Sequence, residues 1–151
     1  MVDDRHVREP RTDGVVTLRP PGPRDRAVLI AGRDDEFHRW LGAGSPDPRP
    51  TACIVVNDEV VGWVDYDDER DWLEPGEVNV GYNVFASHRG NGYATRAVEL
   101  LLEHLAQDTP YETATLLIDP ANERSLALAR RARFDAHGEL DGNPSWKRPV
   151  R

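Results

Sequence analysis

The stretch Glu77–Ala106, EVNVGYNVFASHRGNGYATRAVELLLEHLA, constrains the fold more than any other, because its hydrophobic period changes within a few residues. Val78, Val80, Tyr82 and Val84 alternate with Glu77, Asn79, Gly81 and Asn83. Period two predicts a strand with one apolar and one polar face. Further on, Ala94, Ala97, Val98, Leu101 and Leu105 recur at helical steps, with Arg96, Glu99 and Glu103 on the other side, which predicts an amphipathic helix. The change falls at Arg89-Gly90-Asn91-Gly92, so the unit is strand, turn, helix.

The first backbone N–H groups of a helix have no partner within it, and the macrodipole places about half a positive charge there. A phosphate satisfies both. Gly90 and Gly92 carry no side chain to block a ligand from the backbone, and Arg89 adds a permanent charge. An ordinary glycine turn between strand and helix explains the same residues, and on physical cues alone both readings stand.

The chain has 151 residues and a formal charge of −8, which fits one domain with a real core. The acidic balance speaks against broad nucleic-acid or anionic-membrane binding and is compatible with an amine-bearing substrate. The single cysteine, Cys53, lies in the apolar run Ala52–Val56 and reads as a buried strand residue. The histidines His6, His38, His88, His104 and His137 are scattered without metal-ligand spacing, so no metal is expected. The N-terminal residues have no apolar signal-like region and no segment has the length of a membrane span, so a cytoplasmic location without membrane partners is expected.

Residues 1–13 are polar and aperiodic and are expected to form a mobile tail ahead of a single domain, 14–151. Val15–Arg19 predicts a short strand, Asp25–Ala31 a helix stopped by Gly32, and Asp34–Leu41 a second helix led by acids. The prolines at 46, 48 and 50 predict a stiffened loop. Thr51–Val56 and Val60–Val64, joined through Asn57-Asp58-Glu59, predict a hairpin. Asp65–Asp71 reads as a solvated acidic loop or as a lure for a cation. Thr113–Ile118 is an apolar, β-branched run expected to pair in parallel with the Glu77–Phe85 strand. Glu123–Arg133 predicts another helix, and His137–Val150 a closing antiparallel hairpin.

With these elements in order, the chain resembles the GNAT superfamily of acyl-CoA-dependent N-acetyltransferases. Arg89-Gly90-Asn91-Gly92-Tyr93-Ala94 matches the family's signature of Gln or Arg, two variable residues, Gly, one variable residue, then Gly or Ala. It sits between a strand and a helix and is followed by Asn122-Glu123-Arg124-Ser125 leading to Phe134, which looks like the family's second conserved block. Val15–Pro20 looks like the family's first strand. The resemblance covers roughly residues 14–150 and is closest to the branch containing the ribosomal-protein N-terminal acetyltransferases. It implies an α/β (α+β) fold, with a mixed central sheet of about six to seven strands flanked by about four helices.

The resemblance further implies transfer of an acetyl group from acetyl-CoA to a primary amine, of a small molecule or a protein N-terminus, by direct attack in a ternary complex. Arg89, Gly90, Asn91, Gly92, Tyr93, Ala94 and Thr95 would hold the pyrophosphate, Val84 and Phe85 would guide pantetheine between splayed strands, and Asn122 would touch the cofactor from the other side. A lysine-like amine, with a pKa of about 10.4, needs a base more than an α-amine at about 7.7–8.0. Glu77 is the candidate base, with a solvated strand-end acid as the plainer reading, and Asn79 on the same face can orient a water or the substrate.

A thiolate leaving group with a pKa of about 8.5 gains from a general acid without requiring one. Ser125 is the family-aligned candidate, with helix capping as its alternative role. Many relatives place a tyrosine where this chain has Ala129, and Tyr93 or Tyr82 are the available replacements. Arg133 stands before Phe134 where the family commonly has glycine, so the helix end is expected to be built differently. Arg89, Arg96, Arg124, Arg130, Arg131 and Arg133 can form a basic rim for the CoA phosphates or be solvated surface. Phe37, Trp40 and Tyr82 are candidates for lining the acceptor pocket or for core, and four tryptophans leave a homodimer open. The competing reading is an acyl-CoA-binding module with weak or no catalysis. A nicotinamide site is disfavoured, since no third glycine stands at the dinucleotide spacing.

Overall fold

The computed structural model of the chain describes residues 5–151. One mixed sheet of eight strands runs β1(Arg11–Thr12), β2(Thr17–Arg19), β3(Ala52–Val56), β4(Glu59–Asp67), β5(Glu77–Val84), β6(Thr113–Leu117), β8(Asn143–Pro149), β7(Asp135–Leu140) in space. Among the described residues four α-helices accompany it: α1(Asp25–Ala31), α2(Asp35–Leu41), α3(Tyr93–Asp108) and α4(Glu123–Arg131). The fold is therefore the expected mixed α/β class, with one strand more than the sequence suggested. Among the described residues no helix is long and apolar enough to cross a membrane.

The additional strand comes from the segment expected to be a tail. Val7 is 1% exposed and its N–H donates to Thr51 O. Arg11 and Thr12 pair with Leu18 and Thr17, and the Arg11 guanidinium reaches Gln107 and Asp108 at the end of α3. The mobile-tail reading is thus corrected over residues 7–12, where a buried valine, strand pairing and the Arg11 contacts together hold the segment. Residues 1–4 lie outside the described residues.

The β3–β4 hairpin turns through Asn57 and Asp58, both at positive φ (50° and 63°). Two left-handed residues in sequence give the turn whose twist suits a tight hairpin, and Asn and Asp tolerate that backbone best after glycine. β4 runs on to Asp67, so the acidic segment begins as strand: Asp65 accepts from the Thr51 N–H and hydroxyl, and burial pushes its carboxyl up. Cys53 is fully buried, and desolvation raises its thiol to about 12, which suits a packing residue.

β5 and β6 pair in parallel only through Glu77–Thr113, Val78–Ala114 and Asn79–Thr115. Beyond Asn79, β5 keeps its partner β4 as far as Val84 but has no ladder to β6. β6 turns instead to β8, which lies between β6 and β7. The sheet thus opens at its centre, beside Tyr82 and Val84. α3 packs on β5 and beside α4, burying Ala97, Val98, Leu101 and Leu105 with Leu100, Leu102 and His104.

The end of α4 corrects a second expectation. Phe134 N–H donates to Ala129 O at 2.8 Å and Arg133 N–H to Arg130 O at 3.1 Å, with Arg133 at φ 59°. This is the left-handed cap usual for glycine, built with arginine. Left-handed backbone costs a non-glycine residue roughly 1–2 kcal/mol, and glycine's larger unfolded entropy returns about half of the gain. Arg133→Gly is therefore expected to stabilise the protein by roughly 0.5–1 kcal/mol, seen as a rise of about 2 °C in the thermal midpoint. An unchanged or lower midpoint would show that the arginine side chain compensates the strain.

Candidate active site

The opening between β5 and β6 leads into a cavity of about 550 Å³ that reaches from the Gly90–Gly92 turn to α4. Its first wall is the turn and the start of α3. Gly90 and Gly92 have φ 84° and 78°, and a Cβ at either would meet open space. Gly92 is the N-cap of α3 and offers no side chain to the first turn, whereas Asp34 caps α2 through Phe37 N–H and Asn122 caps α4 through Ser125 N–H. The first regular bond of α3 is Arg96 N–H to Gly92 O. The longest helix of the fold thus begins at the cavity with its leading N–H groups uncapped by any side chain, which is the arrangement that binds an anion.

The second wall is β5 past the opening, with Val80, Tyr82, Asn83 and Val84. Tyr82 crosses to α4, where its phenol oxygen lies 2.7 Å from Ser125 Oγ. Burial raises the phenol's pKa, with the bond to Ser125 acting the other way, so the group is a protonated donor at working pH. Asn122 takes the capping role of α4, which leaves the Ser125 hydroxyl to Tyr82. The third wall is α2, contributing Glu36, Phe37, Trp40 and Leu41. Phe37 is buried and Trp40 half-buried under the Arg39 guanidinium, 4.4 Å from its ring.

Of the residues singled out in the sequence, the cavity collects Val84, Arg89, Gly90, Gly92, Tyr93, Ala94, Thr95, Asn122 and Ser125 with Phe37, Trp40 and Tyr82. Asn91 stands outside it and holds the turn by donating to His88 O at 3.0 Å. Phe85 is also outside: its N–H is committed to Val61 O at 2.8 Å, and its ring occupies the space beside Gly32.

Glu77 and Asn79 are not brought to the site. Glu77 sits at the opposite end of β5, about 16 Å along the strand from Tyr82 at 3.3 Å per residue. One carboxylate oxygen receives Lys147 Nζ at 2.7 Å and the other the Glu74 N–H at 3.0 Å. Its oxygens are engaged in closing the sheet end, which replaces the expectation of a base. Asn79 donates to Asp67 at 3.4 Å.

The arginines also divide. Arg89 turns away from the phosphate side: it donates to both oxygens of Asp34 (2.6 and 3.1 Å), to Glu36 (3.1 Å) and to Asn83 Oδ1 (3.4 Å). Arg96 pairs with Asp13, Arg124 with Glu36, and Arg130 lies over Trp146. Arg131 lines the cavity. Glu36, Asp119, Glu123 and His88 line it as well, although the sequence marked none of them as a site residue.

Arg89 beside Asp34 holds that carboxyl down at about 2, against an ordinary 3.8. A depressed acid contributes stability that is complete above its unfolded pKa and is lost as pH falls through the folded one. The anchoring of α2 is therefore expected to hold at pH 5 and above and to fail between about pH 4 and 2. Amide exchange across α2 in that interval checks it, and indifference to pH would exclude the ion pair as its anchor.

The family model described as an acetyltransferase (GNAT) domain matches residues 16–135. Solved structures of similar fold include a RimL ribosomal L7/L12 alpha-N-protein acetyltransferase in complex with coenzyme A, with 17% identity over 92% of this chain and 96% of that one and a TM-score of 0.75. Mycobacterium smegmatis RimJ in complex with CoA-disulfide gives 22%, 90%, 82% and 0.72. The aminoglycoside acetyltransferase AAC(6')-Ib in complex with coenzyme A gives 21%, 89%, 94% and 0.72. No curated protein matches.

Proposed function

Since this chain belongs to the GNAT acetyltransferase family, we propose that it moves an acetyl group from acetyl-CoA to a primary amine by direct attack in a ternary complex. The observation that carries the reading is a single cavity that starts at an uncapped helix N-terminus behind two glycines and ends on the Tyr82–Ser125 pair. The solved structures of similar fold bound to coenzyme A support the donor assignment.

The residues present fit acetyl-CoA. Gly90, Gly92 and the N–H groups of Tyr93, Ala94 and Thr95 would hold the pyrophosphate, and the free edge of β5 near Val84 would guide the pantetheine arm. Bound there, acetyl-CoA supplies an activated thioester. Tyr82, kept protonated by burial and relayed through Ser125, would give a proton to the departing thiolate. The phenol that many relatives carry on α4, where this chain has the fully buried Ala129, is thus presented here from β5. Glu36, Asp119 and Glu123 line the cavity together with Arg89, Arg124 and Arg131, and Glu36 is paired with two of these arginines, so the lining offers both signs of charge. With Glu77 outside the site, an acceptor that already presents a neutral nitrogen near pH 8 suits the geometry best.

The test is incubation of the protein and acetyl-CoA with a panel of amines that includes kanamycin and a peptide bearing the N-terminal sequence of ribosomal L7/L12. Free thiol should appear with an acceptor, together with a product heavier by one acetyl group. Saturable CoA binding with no transfer to any member of the panel would favour the binding-module alternative.

A further inference from the structure

Arg89 belongs to the donor turn by backbone and to the acceptor wall by side chain. Its guanidinium is 14% exposed and meets Asp34 in a two-pronged pair, with Glu36 and Asn83 completing its contacts. Asp34 is the N-cap of α2, and its Oδ1 also accepts the Phe37 N–H at 2.9 Å. α2 is only seven residues long, too short to persist without tertiary anchors. Its placement, and with it that of Phe37 and Trp40 on the cavity wall, rests on the buried Phe37 ring, on Arg124 beside Glu36 and on the Arg89 guanidinium, which alone of these reaches it from the turn.

We propose that Arg89 is a positioning residue that transmits occupancy of the donor turn to α2, so that the acceptor wall is held more firmly when the donor is bound. This rests on the acetyltransferase reading above. The reasoning begins at the turn. Before the turn, the His88 and Arg89 N–H groups bond to Phe85 O and Ala86 O, and Asn91 bonds to His88 O, whereas Gly90 and Gly92 are left-handed and carry no side chain to hold them. An anion on the N–H groups that follow fixes the backbone of residues 90–93, and so the point from which the Arg89 side chain springs.

The guanidinium stays with α2 because leaving would strip the Asp34 carboxylate of its bidentate partner at the edge of a half-buried site, while Glu36 would keep only Arg124. A bidentate arginine–carboxylate pair is also the geometry that best transmits position, since it fixes orientation as well as distance. Glu36 extends the link, because its other oxygen lies 3.4 Å from Arg124 Nε on α4. The donor turn, α2 and the start of α4 thereby share one charge network around the cavity.

Hydrogen exchange read by mass spectrometry on the whole protein, with and without saturating CoA, tests the coupling without needing the acceptor. CoA is expected to slow exchange in the turn and first turn of α3 and, in the same experiment, to slow residues 35–41 about fivefold, the low end of coupling between sites. In Arg89→Gln the turn should still respond to CoA while α2 no longer does. Asp34→Asn keeps an N-cap residue and weakens the pair, so it should reduce the α2 response in a protein that folds normally.

A purely structural anchor would make α2 exchange faster in both variants and leave the CoA-dependent difference intact, which overturns the proposal. Faster exchange in α2 on adding CoA would overturn it too, since Arg89 would then have moved to the phosphates. Failure of CoA to protect even the turn of the wild-type protein removes the acetyltransferase reading and this inference together, whereas protection of the turn alone removes only the inference.

Discussion

Replacing Tyr82 with phenylalanine is expected to lower kcat for acetyl transfer by about a hundredfold while leaving CoA affinity within about twofold. The fold explains the placement of the phenol from both sides: β5 presents it where the ladder to β6 has ended, and Ser125 Oγ on α4 lies 2.7 Å from it. Phenylalanine fills nearly the same space, so the loss reads chemistry rather than packing. A hundredfold loss corresponds to about 2.7 kcal/mol at the transition state, within the usual range for a positioned acid.

Ser125→Ala keeps the phenol but removes its partner, and a smaller loss is expected. Because burial raises Tyr82 above its ordinary value of 10.0, the donor stays protonated throughout neutral and mildly alkaline pH. No falling limb from Tyr82 should therefore appear below pH 10 in the wild-type profile. If Tyr82→Phe turns over at the wild-type rate, the leaving thiolate needs no acid here and the pair is structural.

Much of this architecture was legible in the sequence. The change of period at Arg89–Gly92 located the central strand, the turn and the long helix, and the parallel pairing of β5 with β6 followed from strand, helix and strand in order. These features are local: each is written in consecutive residues. What the sequence withheld is what depends on distant partners. That Arg89 faces Asp34 and Glu36, more than fifty positions away in the chain, cannot be read from a motif in which it looks like a phosphate ligand.

The partners of Glu77, the expected base, were hidden for the same reason. Its chemistry was right, but Lys147 and the Glu74 N–H, set beside it by the fold, engage both oxygens. Val7 was missed because a single apolar residue gives no period, although it is buried ahead of the short edge strand Arg11–Thr12. Tyr82 could be placed on the apolar face of β5 by alternation, and only the geometry of α4 shows what it reaches.

The two readings of the glycine turn that the sequence left open can be separated at Gly92. At φ 78° any residue with a Cβ is strained, yet asparagine adopts left-handed backbone far more readily than a β-branched residue. Gly92→Asn is therefore expected to fold with little loss of stability, while Gly92→Val should lose roughly 1–2 kcal/mol or more. The protein itself leaves room for either side chain, since nothing lies within 4 Å of the Cβ position. That room is where an anion would approach the N–H groups of Tyr93, Ala94 and Thr95.

If the turn serves the donor, Gly92→Asn should weaken CoA binding by about tenfold or more, measured by calorimetry, because the new side chain competes for those donors and excludes phosphate oxygens. Gly90→Asn, two residues before the N-cap, should have a smaller effect. If instead the glycines only join strand to helix, Gly92→Asn will bind CoA as tightly as the wild-type protein, and the anion site at the start of α3 is lost as an explanation for the open backbone there.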